Sequence, residues 1–384
     1  MKTAIQLGCG NIGRGFMGLL FFQSGYEVVF GDVVQWMVDK INTDKCYTVH
    51  VKDKECEDIK VENVRACISS SPEMIDEMAK ADIITTAVTL GVFPKIAPTI
   101  AKGIERRMSD GSTAFMNVIC CENGIRTTSM LKEMVYGNLS EEGKKYADEY
   151  IGFPDCAVDR IVPPIRIEGS VDVTVESYVE WDVERAGIKG EIDPAVKSMT
   201  IVDSLPAYLE RKLFTLNTGH CVAAYLGVMK GVKTIGDAIA DEKIYPIVRA
   251  AMKESGDGLI KKHGFDPEAH YKYIDKIFSR FTNPYLQDDV TRVGRDPLRK
   301  LSPKDRLIDP MMTAYGYGLP VDHLILGIGA ALHYDNADDP QSVELQKLIA
   351  EKGIKGTITQ LGEVTDEAIL SRIEEAYNTV GSAI

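Results

Sequence analysis

Thr3-Ala4-Ile5-Gln6-Leu7 runs directly into Gly8-Cys9-Gly10-Asn11-Ile12-Gly13-Arg14. The first five residues predict a short apolar strand. A helix is expected from about Arg14 to Ser24, stopping at Gly25, a residue suited to a left-handed C-cap. Tyr26 to Phe30 reads as a second strand and ends in Gly31-Asp32. Strand, G-x-G-x-x-G, helix, strand, acid is the layout of a dinucleotide cradle. Gly8 permits the tight turn, Gly10 lets the backbone approach a pyrophosphate, and Gly13 lets the helix pack close to the sheet. The helix N-terminus offers free N–H groups and a positive dipole end to the phosphates. Cys9, Asn11, Ile12 and Arg14 complete the loop as candidate cofactor contacts. Arg14 either touches a phosphate or is a solvated first-turn residue. A carboxylate at Asp32 accepts hydrogen bonds from ribose hydroxyls and repels a 2′-phosphate, so the expected cofactor is NAD and not NADP.

The following residues continue as strands and helices. Ser71-Pro72-Glu73 has the composition of an N-cap and first turn, opening a helix to Lys80. Asp82 to Val88 and Thr113 to Ile119 are rich in β-formers. Asp53 to Ser70 reads as a hairpin or an insertion, and Val171 to Trp181 as a strand that extends the first sheet or bridges the domains. From about Pro194 helical periodicity takes over, with segments near 195–230, 234–263, 266–280, 303–315, 320–334, 340–352 and 366–378. The expected fold is α/β, with an N-terminal Rossmann-type doubly wound sheet (1–193, NAD-binding) and a mainly helical C-terminal domain (194–384, substrate and catalysis).

Composition narrows the function. The chain has 384 residues, with 44 Lys plus Arg against 57 Asp plus Glu, a net charge of −13. Sequence-independent binding to nucleic acid or to an anionic membrane needs a basic face, and none is evident. The eight cysteines are scattered with no C-x-x-C pair, and the six histidines form no H-E-x-x-H. A disulfide framework and a protein-bound metal are therefore not expected. The apolar run Phe16–Phe22 falls short of the roughly eighteen residues of a membrane span. A soluble cytoplasmic protein is expected.

Two polar groupings carry chemistry. Lys212, Asn217 and His220 lie in one apolar helical segment, and at about 100° per residue they fall at roughly 0°, 140° and 80°. This is either a half-exposed helix face or a catalytic trio. Burial among Leu213, Phe214 and Leu216 would favour a neutral amine, as a general base requires. Asn123 follows the strand ending near Ile119, at the sheet edge where ligands bind, as a turn residue or a substrate ligand. Arg292, Arg295, Arg299, Lys300, Lys304 and Arg306 form the one dense cationic cluster, either solvated surface or a loop around an anion. Arg forks bind phosphate well.

Lys212-x4-Asn217-x2-His220 resembles the signature of the polyol-specific long-chain dehydrogenases, which use no metal. Gly8 to Phe16, Cys121-Glu122-Asn123, Phe153 to Pro163, Glu210 to His220 and Asp296 to Leu301 are similar to the shorter branch of that family, which acts on mannitol 1-phosphate. Cys9 stands where that branch usually has Ala, and Val179 to Lys197 fits poorly. The resemblance implies NAD-dependent interconversion of D-mannitol 1-phosphate and D-fructose 6-phosphate. It makes Lys212 the general base, Asn123 and Asn217 the oxyanion donors, and His220 the partner of a substrate hydroxyl. Asp159, Arg292 and Lys300 fall in the substrate pocket, and Arg295 and Arg299 are further phosphate candidates. Two other readings remain open: an unphosphorylated polyol or a sugar acid as substrate (mannitol 2-dehydrogenase or uronate reductase type), or an NAD-binding sensor without catalysis. Oligomeric state is not legible.

Overall fold

The structure is a computed structural model that describes residues 1–122, 124, 126–162, 169–286 and 288–384. Its contacts divide into two compact units, Met1–Leu205 and Pro206–Ile384.

In the first unit, β1 (Thr3–Leu7) pairs in parallel with β2 (Glu27–Asp32). Next come β3 (Cys46–Val51), β4 (Glu57–Glu62), β5 (Val64–Ile68), β6 (Ile83–Thr86), β7 (Met116–Cys120) and β8 (Ile151–Gly152). The main sheet is parallel, in the order β5-β2-β1-β6-β7-β8. The order reverses between β1 and β6, which opens a crevice outside the carboxyl ends of the strands. Alternation along each strand sends side chains to opposite faces. Ala4, Val28 and Phe30 enter one core, which also holds Phe16, Phe21 and Trp181. Ile5, Leu7 and Val29 enter the other, under the helices Pro72–Lys80 and Phe93–Ser109. Ser71 caps the first of these, its hydroxyl accepting from the Met74 N–H at 3.2 Å.

Two sequence expectations resolve differently. Asp53 to Ser70 is neither purely hairpin nor purely insertion. β4 folds back antiparallel on β3, while β5 joins the main sheet. Val171 to Trp181 does not extend the main sheet. It contributes β10 (Val173–Val175), which pairs with β3, and the start of β11 (Glu180–Glu184). β11 lies between β9 (Cys156–Asp159) and β12 (Met199–Val202). β12 also corrects the expected onset of helix near residue 195. Met199 to Val202 is drawn into a strand by its partner β11, and helix begins only at Leu205.

The helix after the glycine loop starts at Asn11. It is π-helical over Gly13–Gly18 and α-helical over Leu19–Gln23.

The second unit is helical. Leu205–Arg211 leads into a second π-helical run, Lys212–Asn217, and on into the α-helix Thr218–Lys230. Cys221 to Gly227 are all buried, so this helix is enclosed by its neighbours, among them Ile244–His263 and Asp322–Leu332. Pro267–Phe281, Ile308–Gly316, Pro340–Gly362 and Glu367–Ala383 complete the longer elements. The stretch Val290–Lys300 forms two short helices, Val290–Gly294 and Pro297–Lys300, hinged at Asp296, whose φ is 59°.

His270 is buried in this unit, and neither ring nitrogen has a hydrogen-bond partner. Burial, aided by Arg211, pushes its imidazole down to about 4. The folded value lies below the unfolded one, so on acidification the unfolded chain takes up the proton first. The stability held above pH about 6.5 is then lost toward pH 4, by about 3 kcal/mol. Urea unfolding from pH 7 to 4 is expected to show His270→Leu losing less stability than the wild type. Parallel losses would place the acid sensitivity elsewhere.

Candidate functional site

The glycine loop owes its shape to contacts that only hydrogen side chains permit. Gly8 has φ 89°, and its N–H donates to the Gly31 carbonyl at 2.7 Å. A β-carbon at Gly8 would lie 2.4 Å from the Ala87 carbonyl oxygen, and one at Gly13 would lie 1.9 Å from that of Gly8. A β-carbon at Gly10 would meet nothing within 4 Å. Gly8 and Gly13 are thus required by the protein's own packing, whereas Gly10 borders open space. That is the arrangement a pyrophosphate lying on the backbone needs.

Asp32 ties this loop to the end of β2. Its Oδ2 accepts from the Cys9 N–H at 2.6 Å, and its Oδ1 accepts from the N–H groups of Val33 and Val34 at 2.8 and 3.0 Å. Beneath the loop, the buried Gln6 amide donates to the carbonyls of Leu7 and Gly8, while its oxygen accepts from the Thr85 hydroxyl at 2.6 Å. Arg14 is neither solvated nor aimed outward. It is buried, its guanidinium donating to the Cys9 carbonyl and, at 3.4 Å, to Asn11 Oδ1. The Cys9 thiol is buried and pushed up to about 12, so it packs as an inert side chain. Ile12 is exposed at the loop's outer side.

A cleft of about 430 Å³ opens here, lined by Gly8, Gly10, Asp32, Ser69, Val88 and Lys95 among others. The cleft would hold a dinucleotide, with Gly10 toward the phosphates and Asp32 toward a ribose. Ser69 and Lys95 escaped sequence reading because they follow β5 and open the helix after β6. Only the strand order brings those ends together. At the end of β7, Glu122 is buried, accepting from the Thr86 hydroxyl and the Val88 N–H. Burial raises its carboxyl above the ordinary glutamate value. Asn123 lies outside the described residues. Asp159 is buried on β9.

In the second unit the π-helical winding changes the expected geometry of the trio. An i→i+5 winding turns by only about 80° per residue, so it brings residue 217 to roughly 50° from residue 212. Lys212 and Asn217 therefore share one face, rather than lying about 140° apart as ideal α-geometry gives. Both are half-buried. His220 stacks on Phe281 with ring centroids 5.1 Å apart, and its Nε2 lies 3.2 Å from Asp288. Burial pushes the imidazole below its ordinary value, against the pull of Asp288. Burial also works to raise the Asp288 carboxyl, but His220 and Arg292 outweigh it and hold it below the usual range. Asp288 is the partner the sequence did not reveal, since it lies far along the chain from His220.

The cationic stretch is largely neutralised from within. Arg292 is paired with Asp288. Arg299 reaches Asp305 at 3.1 Å and Asp296 at 3.8 Å, and Arg306 reaches Asp305 at 2.7 Å. Lys300 is buried, donates to the Val293 carbonyl and lies 5.7 Å above the Tyr225 ring. Burial pushes its ammonium below the usual lysine range. Arg295 is exposed and makes no ion pair with the described residues. Among the described residues no group of His, Cys, Asp and Glu is placed to hold a metal ion, and no helix is long and apolar enough to cross a membrane.

Two family models match consecutive parts of the chain. The mannitol dehydrogenase Rossmann domain matches residues 2–195, and the mannitol dehydrogenase C-terminal domain matches residues 204–381. Among solved structures, a D-sorbitol dehydrogenase in substrate-free form is similar at TM-score 0.83 and 15% identity, over 99% of this chain and 94% of its own. Pseudomonas fluorescens mannitol 2-dehydrogenase, in a ternary complex with NAD and D-mannitol, is similar at TM-score 0.66 and 16% identity, over 100% and 93%. At these identities the likeness is one of fold.

Asp32→Ser removes an acceptor from both the ribose site and the Cys9 amide. It is expected to raise the KM for NAD about tenfold or more, since a hydrogen bond to a charged group contributes roughly 1.5–3 kcal/mol. It should also narrow the preference for NAD over NADP and lower Tm. Wild-type protein using NADPH as well as NADH would overturn this account of Asp32.

Proposed function

We propose a substrate and a mechanism from one premise: the chain belongs to the mannitol dehydrogenase family. It is an NAD-dependent polyol oxidoreductase, and its substrate pair is D-mannitol 1-phosphate and D-fructose 6-phosphate. The observation that carries the chemistry is the π-turn that sets Lys212 and Asn217 on one face, with His220 on the same helix.

Oxidising an unactivated secondary alcohol requires a base for the hydroxyl proton and donors for the oxygen that is left. Lys212 Nζ takes that proton. The Asn217 amide donates to the developing alkoxide without titrating, and Asn123 is assigned the same part. His220, oriented by Asp288 and kept neutral by burial, bonds a neighbouring hydroxyl. NAD, held by the glycine loop and Asp32, supplies the hydride acceptor. In the reverse direction the Lys212 ammonium returns the proton to the carbonyl oxygen.

The phosphate belongs with the corner at Arg295 and Asp296. Arg295 is exposed and carries no ion pair with the described residues, whereas Arg299 and Arg306 spend their charge on Asp305. The similar sorbitol and mannitol 2-dehydrogenases favour the second reading, an unphosphorylated polyol. An NADH-coupled assay of fructose 6-phosphate against fructose separates the two. Arg295→Ala is expected to raise the KM for fructose 6-phosphate about tenfold and leave activity on fructose nearly unchanged. Equal losses on both would make the corner structural.

Lys212→Ala is expected to lower kcat by about 10²–10⁴-fold while leaving NADH binding intact. Alcohol oxidation uses the neutral amine and carbonyl reduction the ammonium. Near-normal turnover by Lys212→Ala would end the assignment.

A further inference from the structure

We infer that Ser255 is a positioning residue for the base, locking the π-turn that sets Lys212 beside Asn217. The inference rests on the reading of Lys212 as general base. Ser255 lies on the helix Ile244–His263, and its hydroxyl donates to the Phe214 carbonyl at 2.6 Å. Both residues are 1% exposed.

The bond answers a definite need. Widening a helical turn from i→i+4 to i→i+5 leaves one carbonyl without its intrahelical donor. A buried carbonyl without a donor is costly, and Phe214 is buried. Ser255 supplies the donor from outside the helix, at the middle of the π-helical run. Its approach depends on Gly219, where a β-carbon would lie 2.3 Å from Met252 Sδ, so the two helices pack close together. Thr218 adds a second tie, its hydroxyl reaching the Leu213 carbonyl at 3.3 Å and the Arg306 carbonyl at 2.6 Å.

The first unit repeats the device. The π-helical run Gly13–Gly18 is tied by Tyr47, whose buried hydroxyl donates to the Arg14 carbonyl at 2.8 Å. Among the described residues these are the two π-helical runs. Each lies in a motif that the chemistry uses, and each accepts a hydroxyl from a separate element. A π-turn is uncommon and persists where its surroundings hold it. Without the Ser255 hydroxyl, α-winding becomes the better solution for the 212–217 segment. Asn217 then rotates to roughly 140° from Lys212, away from the oxygen it must donate to.

The test uses the full chain carrying Ser255→Ala or Ser255→Cys, each also combined with Lys212→Ala. Measured are kcat and KM with fructose 6-phosphate, the pH profile of mannitol 1-phosphate oxidation, NADH binding by fluorescence, and Tm. Ser255→Ala is expected to lower kcat about tenfold, the scale of one lost positioning hydrogen bond, with NADH affinity unchanged and the pH profile displaced. Ser255→Cys keeps the volume and weakens the donor, so it should fall between. It carries the test if the alanine variant unfolds. In the Lys212→Ala background, Ser255→Ala should cost less than in the wild type, because only the Asn217 contribution is left to lose. Wild-type kcat and pH profile in Ser255→Ala, beside an inactive Lys212→Ala, would overturn this inference alone. So would an equal fold-loss with and without Lys212. Near-normal turnover by Lys212→Ala itself would overturn the base assignment, and this inference with it.

Discussion

The carboxylate of Asp32 accepts three backbone N–H bonds, one from Cys9 in the glycine loop and two from Val33 and Val34 at its own strand end. These bonds close the loop onto β2 as the Gly8 N–H closes it onto Gly31. The loop can then lie low enough for the helix to pack against it at Gly13, at a distance no β-carbon allows. The cleft, the free N–H groups and the helix dipole all follow from that closure. Asp32 is therefore a strut of the site.

The helical unit faces a different constraint. The proposed chemistry places an amine and an amide side by side, five residues apart in sequence. An α-helix cannot present that pair on one face, and a π-turn can. The wider turn leaves a carbonyl without a donor in a buried position, and a hydroxyl from the neighbouring helix fills the gap. Local backbone geometry and tertiary packing are here one problem with one solution.

Charge is managed in the same local way. A chain of net −13 must hold cations where an anionic ligand is to bind. Most of the arginines in the 292–306 stretch are matched by aspartates drawn from the same region, which leaves the exposed Arg295 and Lys304 without ion pairs to the described residues. Density of charge in the sequence thus overstated how much of it a ligand can use.

Periodicity and spacing determined much of this protein. The strand Thr3–Leu7, the glycine loop, Asp32, the capped helix Pro72–Lys80 and the helical second half were all legible, because each carries its signal in the spacing of residues along a short stretch of chain. The split of Val171–Trp181 between two sheets, and the strand at Met199–Val202, depended on partners far along the chain. Alternating residues announce a strand without naming its neighbour. The same limit applies at the site. Lys212, Asn217 and His220 could be named from their spacing, but their angular relation could not, since a regular helix was the only geometry the sequence offered. The π-turn, the Asp288 partner of His220 and the burial of Arg14 and Lys300 came from packing. Hydrogen bonds to buried carbonyls join elements distant in sequence, and only the folded chain decides which donor arrives.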